Sequence, residues 1–242
     1  MKFKELVSPS LTDLFVKELE RMILSGELKI GQKLPTVREM AKDMKVSLAV
    51  INGGITRLAA NGFVRVVPRK GIYVADYIRN GNMNTLKALL EYSEDYFNSD
   101  ILVAIVEFRK ICELSATKEA CLNRTSENLE TLKKLLQDLE ACKDYKECSE
   151  IAFKFHHEVS VASGNIVYSL IVATFKPIYC SSYHTMFTLR GKALSIDTLR
   201  RILEAIQNQD AETASSIVIN SINRWKEVFS TYYHEGQKYI VE

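Results

Sequence analysis

Proline and glycine are scarce in this chain, with 4 and 10 in 242 residues, and both are almost absent from the last two thirds. Long irregular loops and collagen-like or low-complexity structure are excluded there, and the apolar spacing that remains is helical almost throughout. No apolar run approaches the ~20 residues that a membrane-crossing helix requires, and Met1–Glu5 lacks the apolar core of a signal peptide. A cytoplasmic protein without a membrane partner is therefore expected. The five cysteines (112, 121, 142, 148, 180) form no CxxC pair and are odd in number, which predicts reduced, mostly buried thiols. No P-loop, GxGxxG, HExxH or Ser-His-Asp order is present, so no catalytic residue and no cofactor are expected. Cys112 and Cys121 fall on an apolar helical pattern and read as core.

What is present is concentrated at the N-terminus. Residues 1–77 hold 13 basic and 8 acidic side chains, a net +5, whereas the remainder is net −3. Phe15, Leu19, Met22 and Ile23 form one apolar stripe, and Ser25-Gly26 ends that helix. Thr36 to Glu39 fits a capping box behind Pro35 and opens a short helix to about Met44. Ser47 caps a third helix whose Ile51, Ile55 and Leu58 face inward and whose Leu48, Ala49, Asn52, Gly53 and Thr56 face outward. Asn61-Gly62 stops it, and two β-branched and aromatic strands flank the turn from Pro68 to Gly71. Two capped helices followed by a basic hairpin predict a winged helix-turn-helix, a device for duplex DNA. From 83 onward, helices are expected at about 83–97, 100–121, 126–142, 145–162, 165–188, 195–208 and 210–233, with Pro177 kinking the fifth after Phe175. The fold class is thus mainly α. It comprises a winged helix-turn-helix over 1–77, a linker near 77–83, and an all-α effector and dimerisation bundle over 83–235.

The N-terminal residues resemble the GntR family of bacterial transcriptional regulators. The resemblance rests on Ser25-Gly26-Glu27-Leu28 with Gly31, Leu34-Pro35-x-x-Arg38-Glu39-x-Ala41, Val46-Ser47, Leu58-x-x-x-Gly62 and Gly71-x-Tyr73-Val74. It implies a homodimer that binds a palindromic operator in double-stranded DNA, with Arg38, the start of the recognition helix (Ser47, Leu48, Ala49, Asn52) and the wing (Arg69, Lys70, Gly71) at the interface. Where the family usually carries Ser-Arg and a second arginine one turn later, this chain has Leu48 and Asn52. Arginine reads guanine in bidentate fashion, asparagine suits adenine, and leucine packs only on a thymine methyl. Either the operator is altered and richer in A/T, or DNA affinity is low; at the limit the chain is a metabolite-binding protein whose winged helix has lost specific DNA binding. Gly53-Gly54 adds ~1 kcal/mol per residue of helix cost against alanine.

The second region is similar to the helical ligand-binding domain of the FadR subgroup, on Arg109-x-x-x-Glu113, Phe155-His156, Ala162 to Tyr168 and Lys176-Pro177-Ile178-Tyr179. Many members hold a divalent metal with an aspartate and three histidines. The matching positions here are Ala152, His156, about Leu199 and Ser221, so one ligand of four survives and no metal is expected. His157, His184 and His234 would substitute only if the helices were rearranged. The resemblance to the metal-free branch implies an acyl-CoA effector, with Leu170, Phe175, Ile178, Tyr179 and Phe187 either lining an apolar tunnel or forming ordinary core. A metal-independent small carboxylate is the other effector class. Ligand contacts are expected from Arg109, His156, Asn165, Tyr179 and His184; Arg109 serves either an anion or Glu113 one turn on.

Overall fold

A computed structural model describes residues 9–96 and 99–234, at the level of the backbone alone for 93–96, 99–102 and 229–234. The backbone is mainly α, and the described residues form two compact units that divide after Tyr92.

In the first unit, α1 (Leu11–Leu24), α2 (Val37–Asp43) and α3 (Leu48–Ala60) precede a hairpin of β1 (Val64–Val67) and β2 (Gly71–Val74). Each helix starts where its sequence supplies a side-chain acceptor for orphan amide groups. Ser10 and Asp13 form a capping box on α1, Thr36 and Glu39 one on α2, and the Ser47 side chain accepts from the Val50 amide. Between α2 and α3 the backbone turns through Lys45 at φ 53, with the Val46 amide returning to the Ala41 carbonyl at 3.0 Å. The strands are antiparallel with Val64 opposite Val74, and an isolated bridge between Lys33 and Tyr73 adds the 31–34 segment beside β2. Phe15, Leu19, Ile23, Leu34, Ile51, Ile55, Leu58, Phe63 and Val74 make the core. The segment expected as a linker is occupied by α4 (Tyr77–Asn80) and the start of α5 (Met83–Tyr96). Ala88, Leu89 and Tyr92 of α5 pack on the winged-helix core, which is why the first unit reaches Tyr92.

The second unit contains α6 (Ser99–Asn123), α7 (Ser126–Ala141), α8 (Tyr145–Ala162), α9 (Ile166–Thr174), α10 (Lys176–Arg190), α11 (Ala193–Gln207) and α12 (Ala211–His234). The helix expected over 165–188 is two helices: α9 ends at Phe175, and Pro177 sits in the first turn of α10, where a missing amide hydrogen costs nothing. The core gathers Cys121, Leu132, Leu139, Phe155, Phe187, Leu199 and Ile206 from α6, α7, α8, α10 and α11. Among the described residues no helix is long and apolar enough to cross a membrane.

One sequence expectation is corrected. Cys142 and Cys148, expected as reduced thiols, are joined in a disulfide, whereas Cys112, Cys121 and Cys180 remain thiols. The short α7–α8 loop brings the C-cap of α7 within 5.7 Å, α-carbon to α-carbon, of the first turn of α8, a closeness that six residues of sequence separation do not reveal.

Candidate functional site

Each unit carries one arrangement with chemical content. On the first, the outward face of α3 presents Leu48, Ala49, Asn52, Gly53 and Thr56 to solvent, with Arg38 on α2 also exposed. The hairpin tip is a turn in which the Lys70 amide donates to the Val67 carbonyl at 3.0 Å, with Arg69 at φ 60 and Gly71 at φ 125. A Cβ on Gly71 would lie 2.8 Å from Cε of Lys33, so the glycine lets that lysine cross the base of the tip. Arg69 and Lys70 project into solvent, while Arg65 lies over the Tyr73 ring at 4.9 Å. All eight residues expected at the DNA interface are thereby exposed or half-exposed, on one helix face, one neighbouring helix and one hairpin tip.

The glycine pair in α3 acquires a reason that propensity cannot supply. A Cβ on Gly54 would fall 2.1 and 2.5 Å from ring atoms of Phe15, whereas one on Gly53 meets only Thr12 at 3.6 Å. Gly54 therefore allows α3 to approach α1; Gly53 has no such contact.

On the second unit, a small solvent-open cavity of about 60 Å³ lies between α6, α8, α10, α11 and α12. Its floor is polar. Oε1 of Glu113 accepts from Arg109 Nε at 3.0 Å, from Arg109 Nη2 at 2.9 Å and from the Tyr179 hydroxyl at 2.7 Å. The guanidinium lies 3.7 Å over the Tyr179 ring. Burial alone would push the Glu113 carboxyl upward, but the Arg109 charge and these donors hold it below its ordinary value. The reverse balance governs His156: burial outweighs the attraction of Glu113 and lowers its pKa, so the imidazole is neutral at pH 7 despite Oε2 of Glu113 lying 3.6 Å from Nδ1. With Nδ1–H toward that carboxylate, Nε2 accepts from the Tyr183 hydroxyl at 2.7 Å. Burial keeps both tyrosines as neutral phenols.

The rest of the lining is Ser182, Ser195, Thr198 and Ser221 with the apolar Val106, Met186, Leu194, Ile222 and Trp225; the Ser182 and Thr198 hydroxyls donate to the Ile178 and Leu194 carbonyls of their own helices. Glu113 neutralises Arg109, so among the described residues the wall cation left without a carboxylate partner is Arg224. Apart from Ser221, which the sequence marks only as a position matching a metal ligand, neither Arg224 nor these serines and threonine stand out in sequence; they sit on α10, α11 and α12, and only folding brings them to one space.

Of the five expected ligand residues, Arg109 and His156 line this cavity. Tyr179 lies behind the floor, bonded to Glu113. Asn165 caps α9, its side chain accepting from the Val167 amide, and His184 is absent from the lining. The expected tunnel residues do not line it either: Phe187 and Ile178 are core, Leu170 is exposed, and Phe175 stacks on Phe108 at 5.6 Å. Nor do the residues fit the metal of the related subgroup. Ala152 and Leu199 are apolar and fully buried, and His156 is engaged by Tyr183. Among the described residues no group of three His, Cys, Asp or Glu is placed to hold a metal ion.

A winged helix-turn-helix joined to a helical bundle with a solvent-open cavity defines a class, that of one-component DNA-binding regulators. Residues 13–74 match the gntR family of bacterial regulatory proteins, and residues 104–224 match the FCD domain. The chain belongs to the GntR family of transcriptional regulators, in its FCD-domain group. It is 26% identical over 226 residues to the HTH-type transcriptional regulator LutR of Bacillus subtilis, covering 89% of this chain and 99% of LutR. A fatty acid metabolism regulator protein of Shewanella pealeana is 23% identical over 187 residues, 77% of each chain. Among solved structures, Lar, which controls expression of the Listeria monocytogenes agr system, aligns with a TM-score of 0.58 at 18% identity, over 91% of this chain and 96% of that one.

Proposed function

We propose that the protein is a cytoplasmic, homodimeric, effector-responsive transcription regulator, not an enzyme, and that its effector is a small organic monoanion bound without metal. The observation that carries the ligand class is the solvent-open cavity with Arg224, among the described residues, as its uncompensated cation above an internally neutral Arg109–Glu113 floor. The Ser195 and Ser221 hydroxyls in its lining suit a hydroxylated or keto carboxylate, and its apolar wall suits a short carbon skeleton. The phosphates of a coenzyme A would require a cluster of basic residues that this cavity lacks among the described residues, so the smaller class is favoured. Dimerisation is supported by apolar side chains left in solvent on neighbouring helices, Phe108 and Ile111 on α6 and Val167 and Leu170 on α9, all at least 42% exposed.

On DNA, Arg38 and the α3 face approach the major groove and Arg69 and Lys70 the flanking phosphates. Selection from random duplexes tests this reading. A palindrome with A/T pairs opposite Asn52 and Leu48 is expected, with affinity falling as salt rises. Arg69→Ala and Lys70→Ala should each reduce the salt slope by about one without changing the selected sequence. Binding without sequence preference at low salt overturns the regulator and leaves a metabolite-binding protein.

Effector class is read by melting the protein against a panel of small carboxylates and acyl-CoA. Members of the first group should raise the melting temperature, and a chelator should leave the effect intact. Arg224→Gln should weaken that binding roughly 10- to 100-fold, the worth of one charge-assisted pair. Stabilisation by acyl-CoA alone points to the other class.

A further inference from the structure

We propose that Cys142 and Cys148 are a reversible thiol-oxidation site, taking a hydroperoxide as oxidant, whose state is transmitted to the wall of the cavity. The pair joins an accessible sulfur to one at a helix N-terminus. Cys142 caps the C-terminus of α7 and is half-buried, within reach of a small oxidant. Cys148 lies in the first turn of α8, where the helix N-terminus stabilises a thiolate, and it is fully buried against its partner. The Lys192 ammonium bonds the backbone carbonyl of Cys142, placing a cation at that residue.

The step balances within the pair and its oxidant. The Cys142 thiolate attacks the hydroperoxide, the O–O bond breaks, and an alcohol or water departs, leaving a sulfenic acid on Cys142. The Cys148 thiolate then attacks that sulfur, the S–S bond forms and water leaves. Two thiols are oxidised by two electrons and one hydroperoxide is reduced; a dithiol reverses the reaction by exchange. In the reducing compartment where a DNA-binding regulator works, such a bond is transient and serves sensing, a point that rests on the function proposed above.

Two routes lead from the disulfide loop to the cavity. Lys192 donates to the carbonyls of Leu139 and Glu140 at 2.8 Å each as well as to that of Cys142, fastening the end of α7 to the start of α11. Leu194, Ser195 and Thr198 of α11 are cavity wall. At the start of α8, Tyr145 packs on Phe187 at 5.9 Å, Phe187 on Tyr183 at 5.4 Å, and Tyr183 bonds His156 in the cavity floor. Opening the disulfide loosens both the end of α7 and the turn that seats Tyr145.

The test uses the full-length protein, hydrogen peroxide and a dithiol reductant, and requires neither operator nor effector. After denaturation, alkylation should label all five cysteines of the reduced protein but only Cys112, Cys121 and Cys180 after stoichiometric peroxide. The oxidised form should melt roughly 5 °C higher, the contribution of a short closed loop in a domain of this size. Trp225, the chain's one tryptophan and a cavity-wall residue, should change its emission and acrylamide quenching between the two states. Cys142→Ser, checked for unchanged helicity, should hold both readings at the reduced values. Five labelled cysteines after peroxide overturn the site. Three labelled cysteines with identical Trp225 emission in both states overturn the transmission. Either result leaves operator selection and carboxylate binding to be judged separately.

Discussion

Arg109→Met lowers the stability of the protein by about 3–5 kcal/mol, because it strands the Glu113 carboxylate in a site where its other partners are neutral. Both side chains are at most 10% exposed, so solvent cannot replace the lost donors. In a domain of this size the melting temperature falls by roughly 10 °C. Arg109→Met with Glu113→Leu recovers most of the loss, because a buried ion pair exchanged whole for apolar groups is nearly neutral. Equal melting of wild type and Arg109→Met would mean that the pair carries no such weight.

The acid limb of the stability curve gives a second readout of the same network. Glu113 and His156 both have folded pKa values below their ordinary ones. A depressed group contributes stability that is present above its unfolded pKa and is lost as pH falls through the folded one. Stability is therefore expected to decline first as pH drops below about 6.5, where unfolded histidine takes up its proton, and again below about 4.5, where unfolded glutamate does so while folded Glu113 is still ionised. In Arg109→Met the Glu113 contribution changes sign: burial without a cation raises its pKa, and the variant gains relative stability as pH falls. Chemical denaturation at stepped pH separates the two curves.

The second large effect lies in the glycine pair of α3. Gly54→Ala forces a Cβ to within 2.1 Å of the Phe15 ring, which is itself buried in the core and has little room to withdraw. Overpacking of this kind costs ~1–3 kcal/mol, more than the ~1 kcal/mol gained in helix propensity. Gly53→Ala, with only an ordinary contact to Thr12 at 3.6 Å, should instead stabilise by ~0.5–1 kcal/mol. Thermal unfolding of the two variants should move in opposite directions, and a shared direction would remove the packing account of Gly54. Because α3 carries the outward Leu48 and Asn52, the Gly54 contact also sets how firmly that face is held against α1.

The helix starts in the first unit were legible because a cap is a local event: Thr36 with Glu39 and Ser47 declare themselves within four residues. Pro177 likewise announced a break, since a lost amide hydrogen is felt at its own position. The Ser10–Asp13 box of α1 obeys the same rule and could have been read the same way. Of the cavity floor, the Arg109–Glu113 pair was visible as an i, i+4 spacing on one helix. His156 was visible only through its resemblance to a metal ligand, a role that Tyr183 and the apolar Ala152 and Leu199 exclude here. Asn165 and Tyr179 were expected at the ligand from a linear pattern, which does not show that Asn165 caps α9 or that Tyr179 lies one layer behind the floor, bonded to Glu113.

Sequence alone determined the class of fold, the capped helices and basic hairpin of the first unit, the helical spacing of the second, and the residues exposed on α3 and the wing. These follow from local hydrogen bonding and apolar periodicity, which act over one or two turns. Tertiary structure decided which polar groups share one space. It set Arg224, among the described residues, as the cavity cation without a carboxylate partner opposite a floor that neutralises itself, joined Cys142 to Cys148, and gave Gly54 its purpose against Phe15. Each of these depends on groups brought together by helix packing or a loop closure, and no sequence spacing encodes such a distance.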